Sequence, residues 1–181
     1  MKNVFVAAMA MFFAYAASAQ VPVPDFKNQP TLLVDGKLVK LEKQSTEVKH
    51  KVQGMGYGGT TSNLHLDGGQ SDVRTTTKPE FVIKVDNEVD PETLYYLTKT
   101  IKSKKARDVE MSKQSAFAAY GAVGKSVKRF HVKLDFEKVT DGVYKIKVGE
   151  PLEDGEEYAF VAVSQGVNTG NSTVYAFGVG K

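Results

Sequence analysis

Apolar and polar residues alternate with a period of two along much of the chain, the signature of strands with one dry and one wet face. Phe81, Ile83 and Val85 alternate with Val82, Lys84 and Asp86. Phe130, Val132, Leu134 and Phe136 alternate with Arg129, His131, Lys133 and Asp135. The pattern predicts further strands over Thr93-Thr98, Ala106-Met111, Val143-Val148, Tyr158-Val163 and Thr173-Val179, with turn pairs such as Asp141-Gly142 and Asp154-Gly155 between them. Nearer the N-terminus, Thr31-Val34 and Leu38-Leu41 flank Asp35-Gly36-Lys37. Asp-Gly between apolar runs predicts a hairpin, because glycine supplies the positive φ of the turn. Residues 44–79 are polar and glycine-rich, and weak strands are predicted around Lys49-Met55 and Ser71-Thr76, since a structureless loop of that length is at odds with a compact domain. Helical spacing is confined to Pro91-Leu97, where Asp90 can cap a single turn, and to the Ala-rich Ser115-Ala122.

The first nineteen residues follow a different rule. Met1, Lys2 and Asn3 form a short positive region, Val4 to Ala16 an uncharged apolar run, and Ala17-Ser18-Ala19 a small-x-small site before Gln20. This predicts a secretory signal peptide cleaved at Ala19-Gln20, because the run is shorter than the roughly 20 residues a membrane-spanning helix requires. The expected product is exported, to the periplasm, the outer surface or the medium, with no membrane span. Val21-Pro22-Val23-Pro24 follows as an extended lead-in, since proline lacks the N–H of a central strand.

Composition narrows the chemistry. The 181 residues are 41% hydrophobic and 25% charged, with a formal charge of +3, too small to point to nucleic acid. The chain has no cysteine, which excludes disulfides, thiolate nucleophiles, zinc–thiolate sites and a lipidated N-terminal Cys. Short strands at about 8–12-residue spacing predict an all-β sandwich or barrel.

The C-terminal third carries a resemblance. Leu152-Glu153-Asp154-Gly155-Glu156-Glu157-Tyr158, followed by Ala159-Phe160-Val161-Ala162-Val163, is similar to the corner before the last two strands of fibronectin-type-III and related immunoglobulin-like sandwiches. Leu lies six residues before Tyr there, with a turn between them. The resemblance implies that the Tyr158 hydroxyl bonds back to backbone near the turn, with Leu152 and Gly155 as structural partners. It implies an immunoglobulin-like antiparallel β-sandwich over residues 79–181, with residues 20–78 as an N-terminal β-hairpin and Gly-rich extension packed on or paired with it. It departs from the immunoglobulin pattern in having no cysteine pair and no tryptophan. The layout as a whole also resembles secreted bacterial β-proteins. Neither likeness carries an activity.

Candidate chemistry is sparse. Ala119-Tyr120-Gly121-Ala122-Val123-Gly124-Lys125-Ser126 misses the phosphate-cradling P-loop by its first glycine and leads into a strand pattern where a helix is needed, so it reads as a turn. His50, His65 and His131 stand outside metal-ligand spacing. His65 and Asp67 share one side of a possible strand, but no G-x-S-x-G elbow supplies a nucleophile. Asp86, Glu88, Asp90 and Glu92 alternate on one face if extended, a hard-cation arrangement that lacks the EF-hand pattern; it reads as a solvated loop, as does Asp67-Asp72. Lys99, Lys102, Lys104, Lys105 and Arg107 form one basic run, and Lys125, Lys128, Arg129 and Lys133 a second. Adjacent in space, they form a patch for an anionic glycan or lipid; otherwise they are edge-strand lysines that block aggregation. The expectation is a non-catalytic, cofactor-free envelope module that binds a protein partner, or a second copy of itself, through sheet edges and loops. A hydrolase acting on an envelope polymer and an electrostatic binder of anionic polymer are the alternatives.

Overall fold

A computed structural model describes residues 21–53, 59–114, 130–163 and 171–180. The hairpin forms as expected: β1 (Thr31–Val34) pairs antiparallel with β2 (Lys37–Lys40). Asp35 and Gly36 both take positive φ, 48° and 73°, the conformation whose twist matches the flanking strands. Leu41 alone separates β2 from β3 (Glu42–Gln53), so the chain passes between sheets at that residue. The next strands are β4 (Gly59–Asp67), β5 (Arg74–Thr75) and β6 (Glu80–Lys84). A single 3-10 turn, Pro91–Thr93, follows, with Asp90 as its cap: the Glu92 N–H donates to Asp90 Oδ1 at 3.0 Å. Then come β7 (Tyr95–Lys99), β8 (Ile101–Lys102) and β9 (Ala106–Gln114). The chain ends with β10 (His131–Val132), β11 (Leu134–Thr140), β12 (Val143–Val148), β13 (Glu157–Ala162) and β14 (Asn171–Val179).

Two antiparallel sheets result. One has the order β11-β12-β6-β1-β2, and the other β10-β7-β13-β14-β3-β4-β9-β8, with β5 added parallel to β14. The run 130–136 alternates as expected but is split between them. His131 and Val132 pair with β7, whereas Leu134 onward pairs with β12. The 20–78 segment is woven into both sheets, β1 lying between β6 and β2 and β3 beside β14.

The main core fills the space between the sheets, where the Phe81 ring stands edge-on to Phe160, 4.9 Å between centroids, and tilted against Phe177 at 5.1 Å. A second cluster lies on the opposite side of β13 and β14. There Ala159, Val161, Val174 and Ala176 meet Leu64, Leu66 and Val109 of β4 and β9. The larger sheet therefore curls back on itself, and β13 and β14 are buried on both faces. That burial explains their near-continuous apolar sequence. The curl begins in β3, whose first half pairs with β14 and whose second half pairs with β4. Where β3 and β4 diverge, side chains replace the ladder: Gln44 exchanges two hydrogen bonds with the Asp67 backbone, at 2.9 and 3.0 Å, and the Thr46 hydroxyl donates to the His65 carbonyl. Among the described residues, no helix is long and apolar enough to cross a membrane.

Candidate binding groove

The segment before β1 is a strap that closes the side of the molecule where the chain leaves the smaller sheet for the larger. Asn28 anchors it. Its N–H donates to the Lys84 carbonyl at 2.7 Å, and its own carbonyl accepts from the Tyr95 hydroxyl at 2.6 Å. Asn28 has φ of 56°, the left-handed region that asparagine tolerates better than most residues. Lys27 pairs with Asp86 beside it. Burial, reinforced by the neighbouring Tyr175, pushes the Tyr95 phenol well above its ordinary pKa, so this donor keeps its proton.

Between strap and sandwich lies a groove of about 330 Å³. Pro22, Pro24 and Pro30 form the strap wall, and Leu38, Leu41 and Tyr175 the facing wall. Phe26 stays 54% exposed, with the Lys40 ammonium 5.3 Å from its ring centroid. The Lys43 ammonium lies 5.9 Å from the centroid of Tyr175. The groove is thus apolar within and cationic at its lip, and among the described residues Asp25 is the one acid on its lining.

The residues singled out from sequence lie elsewhere. Tyr158 is 3% exposed, and its hydroxyl accepts a hydrogen bond from the Glu153 N–H at 3.0 Å. Leu152 is buried in the main core, and Gly155 takes φ of 76° at the turn. The Lys99–Arg107 run is divided. Lys99 pairs with Glu153 at 2.8 Å, and Lys102 pairs with Glu156 at 3.3 Å while donating to the Gly155 carbonyl at 2.6 Å, so both are tied to the corner. The hydrogen bond from Lys99 to Glu153, outweighing partial burial, raises the Lys99 pKa. Lys104 and Lys105 remain exposed. Lys125, Lys128, Arg129 and the Ala119–Ser126 motif lie outside the described residues.

Arg107 corrects the expectation of a surface cation, for it is completely buried. It donates to both carboxylate oxygens of Glu42, at 2.7 and 3.0 Å, and to the carbonyls of Gly68 and Asp67. The buried Glu157 lies 3.6 Å from its other side and pairs in turn with Arg74. Ser71 N–H donates to Glu157 at 2.9 Å. Glu42, Arg107, Glu157 and Arg74 therefore form a ladder of alternating charge that joins β3, β9, β13 and β5. Burial raises the Glu42 pKa, but hydrogen bonds from Arg107, Ser71 and Gln44 outweigh it and leave the group below its ordinary 4.5. Only the buried end of a basic run marked this ladder in sequence, and nothing in spacing distinguishes such an arginine from its exposed neighbours.

The acidic series Asp86, Glu88, Asp90 and Glu92 is exposed in the loop after β6, the solvated loop expected from sequence. A turn, closed by Val89 N–H to the Asp86 carbonyl at 2.9 Å, breaks the extended run, so its carboxylates serve separate local roles. No group of His, Asp and Glu with metal-binding geometry occurs among the described residues. The histidines occupy three separate stations. His65 faces Asp108 at 2.8 Å and Asp67 at 3.9 Å, His50 faces Ser62 at 2.8 Å, and His131 stacks on Tyr96 with centroids 4.5 Å apart. Comparison of the chain with family models, curated proteins and solved structures finds no match.

Proposed function

We propose that this is an exported, non-catalytic binding module of the cell envelope, built on an immunoglobulin-like sandwich and engaging its partner at the strap groove. Strand order supports the architectural part. With β1, β6, β12 and β11 taken as strands A, B, E and D, and β10, β7, β13 and β14 as C′, C, F and G, both sheets follow the order of that fold. The Tyr158 hydroxyl supports it independently, standing at the crossing from β12 to β13. On this reading β2 extends the A edge of the smaller sheet, and β3, β4, β8 and β9 are insertions that extend the G edge and fold over the outer face of F and G.

The groove carries the functional part. The sheet edges are blunted: β2 bears Lys37 and Lys40, β8 and β10 have two residues each, and β11 bears Asp135, Glu137 and Lys138 beside a register shift. Such edges resist strand addition, which leaves the formed apolar concavity as the better recognition surface. Export rests on the Met1–Ala19 leader. The test has two parts: N-terminal sequencing of the protein from fractionated cells, expected to begin at Gln20, and capture of an envelope component by the processed chain. Capture should survive high salt and be lost in Leu38→Asp. Capture unaffected by Leu38→Asp refutes the groove.

A further inference from the structure

Building on that reading of the groove, we infer that its ligand is a small anionic amphiphile, a short aliphatic chain or single ring ending in one carboxylate. The first ground is charge. Lys40 and Lys43 overhang an apolar cleft from two elements, and the ion pairs recorded among the described residues leave both ammonium groups out. Their ammonium groups stand over Phe26 and Tyr175, so each pairs an aromatic face with a charged tip at the lip of the groove. The second ground is what the wall lacks. Pro22, Pro24 and Pro30 bring no N–H, so an extended peptide lying along the strap finds no donor at those positions and cannot build a strand-addition ladder. Recognition then falls to contact area and charge. The third ground is size: about 330 Å³ stands at the small end of ligand sites, which run from about 300 to 1,000 Å³. One chain or ring fits that space, whereas a folded partner presents a broader face.

The test uses the processed chain and three ten-carbon probes, each below its micelle concentration: decanoate, neutral decyl maltoside and cationic decyltrimethylammonium. Binding is read by calorimetry and by amide chemical shifts. Decanoate should bind one to one, perturb Phe26, Leu38, Lys40, Lys43 and Tyr175, and bind more tightly than either other probe. Lys40→Met with Lys43→Met should weaken decanoate about fivefold to tenfold, the effect of two surface ion pairs, and leave decyl maltoside unchanged. Both substitutions lie on exposed positions, so unaltered amide shifts elsewhere certify the fold. Equal binding of all three probes, or shifts on another face, overturns the inference. So does saturation by a peptide with a free α-carboxylate where decanoate is inert, or a dimer in sedimentation velocity that Leu38→Asp dissolves. If decanoate fails but Leu38→Asp still abolishes envelope capture, the ligand class is wrong and the groove reading stands.

Discussion

Replacing Gly178 with alanine tests whether the buried charge ladder is as constrained as its geometry implies. Gly178 is the middle rung of three strands: Glu157 of β13 lies opposite it on one side and Arg74 of β5 on the other. With no side chain between them, Arg74 and Glu157 pair directly over its Cα. A Cβ there would fall within the guanidinium and 2.5 Å from Glu157 Oε1. Strand propensity alone favours Gly→Ala by about 0.5–1 kcal/mol. Opposing it, Arg74 must swing away and give up Glu157 together with the Val179 and Gly180 carbonyls, to which it donates at 2.6 and 3.3 Å. Glu157, whose side chain is 1% exposed, is left with a weakened set of partners. Breaking a buried pair costs about 3–5 kcal/mol, so the loss wins, and Gly178→Ala should destabilise by about 2–4 kcal/mol net. That is a large fraction of a typical stability of about 5–15 kcal/mol. Urea denaturation of Gly178→Ala, Arg74→Ala and the double variant measures it. Because Arg74→Ala removes the obstructing group, the further cost of Gly178→Ala in that background should fall by about 2 kcal/mol or more. Additive effects, or a Gly178→Ala variant as stable as the parent, would refute the constraint.

Tyr158→Phe should cost about 1–2 kcal/mol by leaving the Glu153 N–H without its partner, read as a lowered Tm; an unchanged Tm counts against the corner. Glu42 has a folded pKa below 4.5, so its contribution to stability is present above that pH and lost as pH falls through the folded value. Acid titration of stability should therefore steepen below about pH 4.5, and Glu42→Gln should flatten that limb; an identical limb in the variant sinks the assignment. Phe26→Ser removes a ring that is half in water, so stability should stay within about 0.5 kcal/mol of the parent by denaturation while decanoate binding is lost.

Local chemistry was readable wherever one short stretch determines the outcome. Asp35-Gly36 made its hairpin, Asp90 capped its turn, and Val143–Val148 stands at its expected bounds, because turn φ angles, caps and two-residue periodicity are properties of neighbours in sequence. Non-local decisions were not readable. The alternation through 130–136 is unbroken in sequence, yet Lys133 divides it between two sheets, a choice made by β7 and β12. Within the glycine-rich 44–79 stretch the weak strands are predicted around Lys49-Met55 and Ser71-Thr76, whereas the nine-residue strand Gly59–Asp67 forms because Leu64 and Leu66 find the far face of β13 and β14. The groove is non-local for the same reason. Its walls come from four segments between Pro22 and Tyr175, and in sequence its proline lead-in reads only as an extended entry.

The separation of charge along the chain now has a physical explanation that bears on recognition. Cations concentrate between Lys99 and Arg107 and carboxylates between Asp135 and Glu157, and the fold sets one group against the other. Lys99 and Lys102 reach Glu153 and Glu156 across the corner, and Arg107 is drawn into the interior between Glu42 and Glu157. Opposite charges distant in sequence are thereby used to hold the β9 arm against β13. A buried arginine cannot be left without partners, so the Glu42 and Glu157 carboxylates are a condition of burying it at all. Lys40 and Lys43 stand apart from this scheme, held over aromatic rings and outside the ion pairs formed among the described residues. Cation–π contact at an exposed site contributes only about 0.5–1 kcal/mol, too little to commit a lysine that an anion can recruit. Their charge stays available at the lip of an apolar groove, the feature on which the proposed recognition of a carboxylate rests.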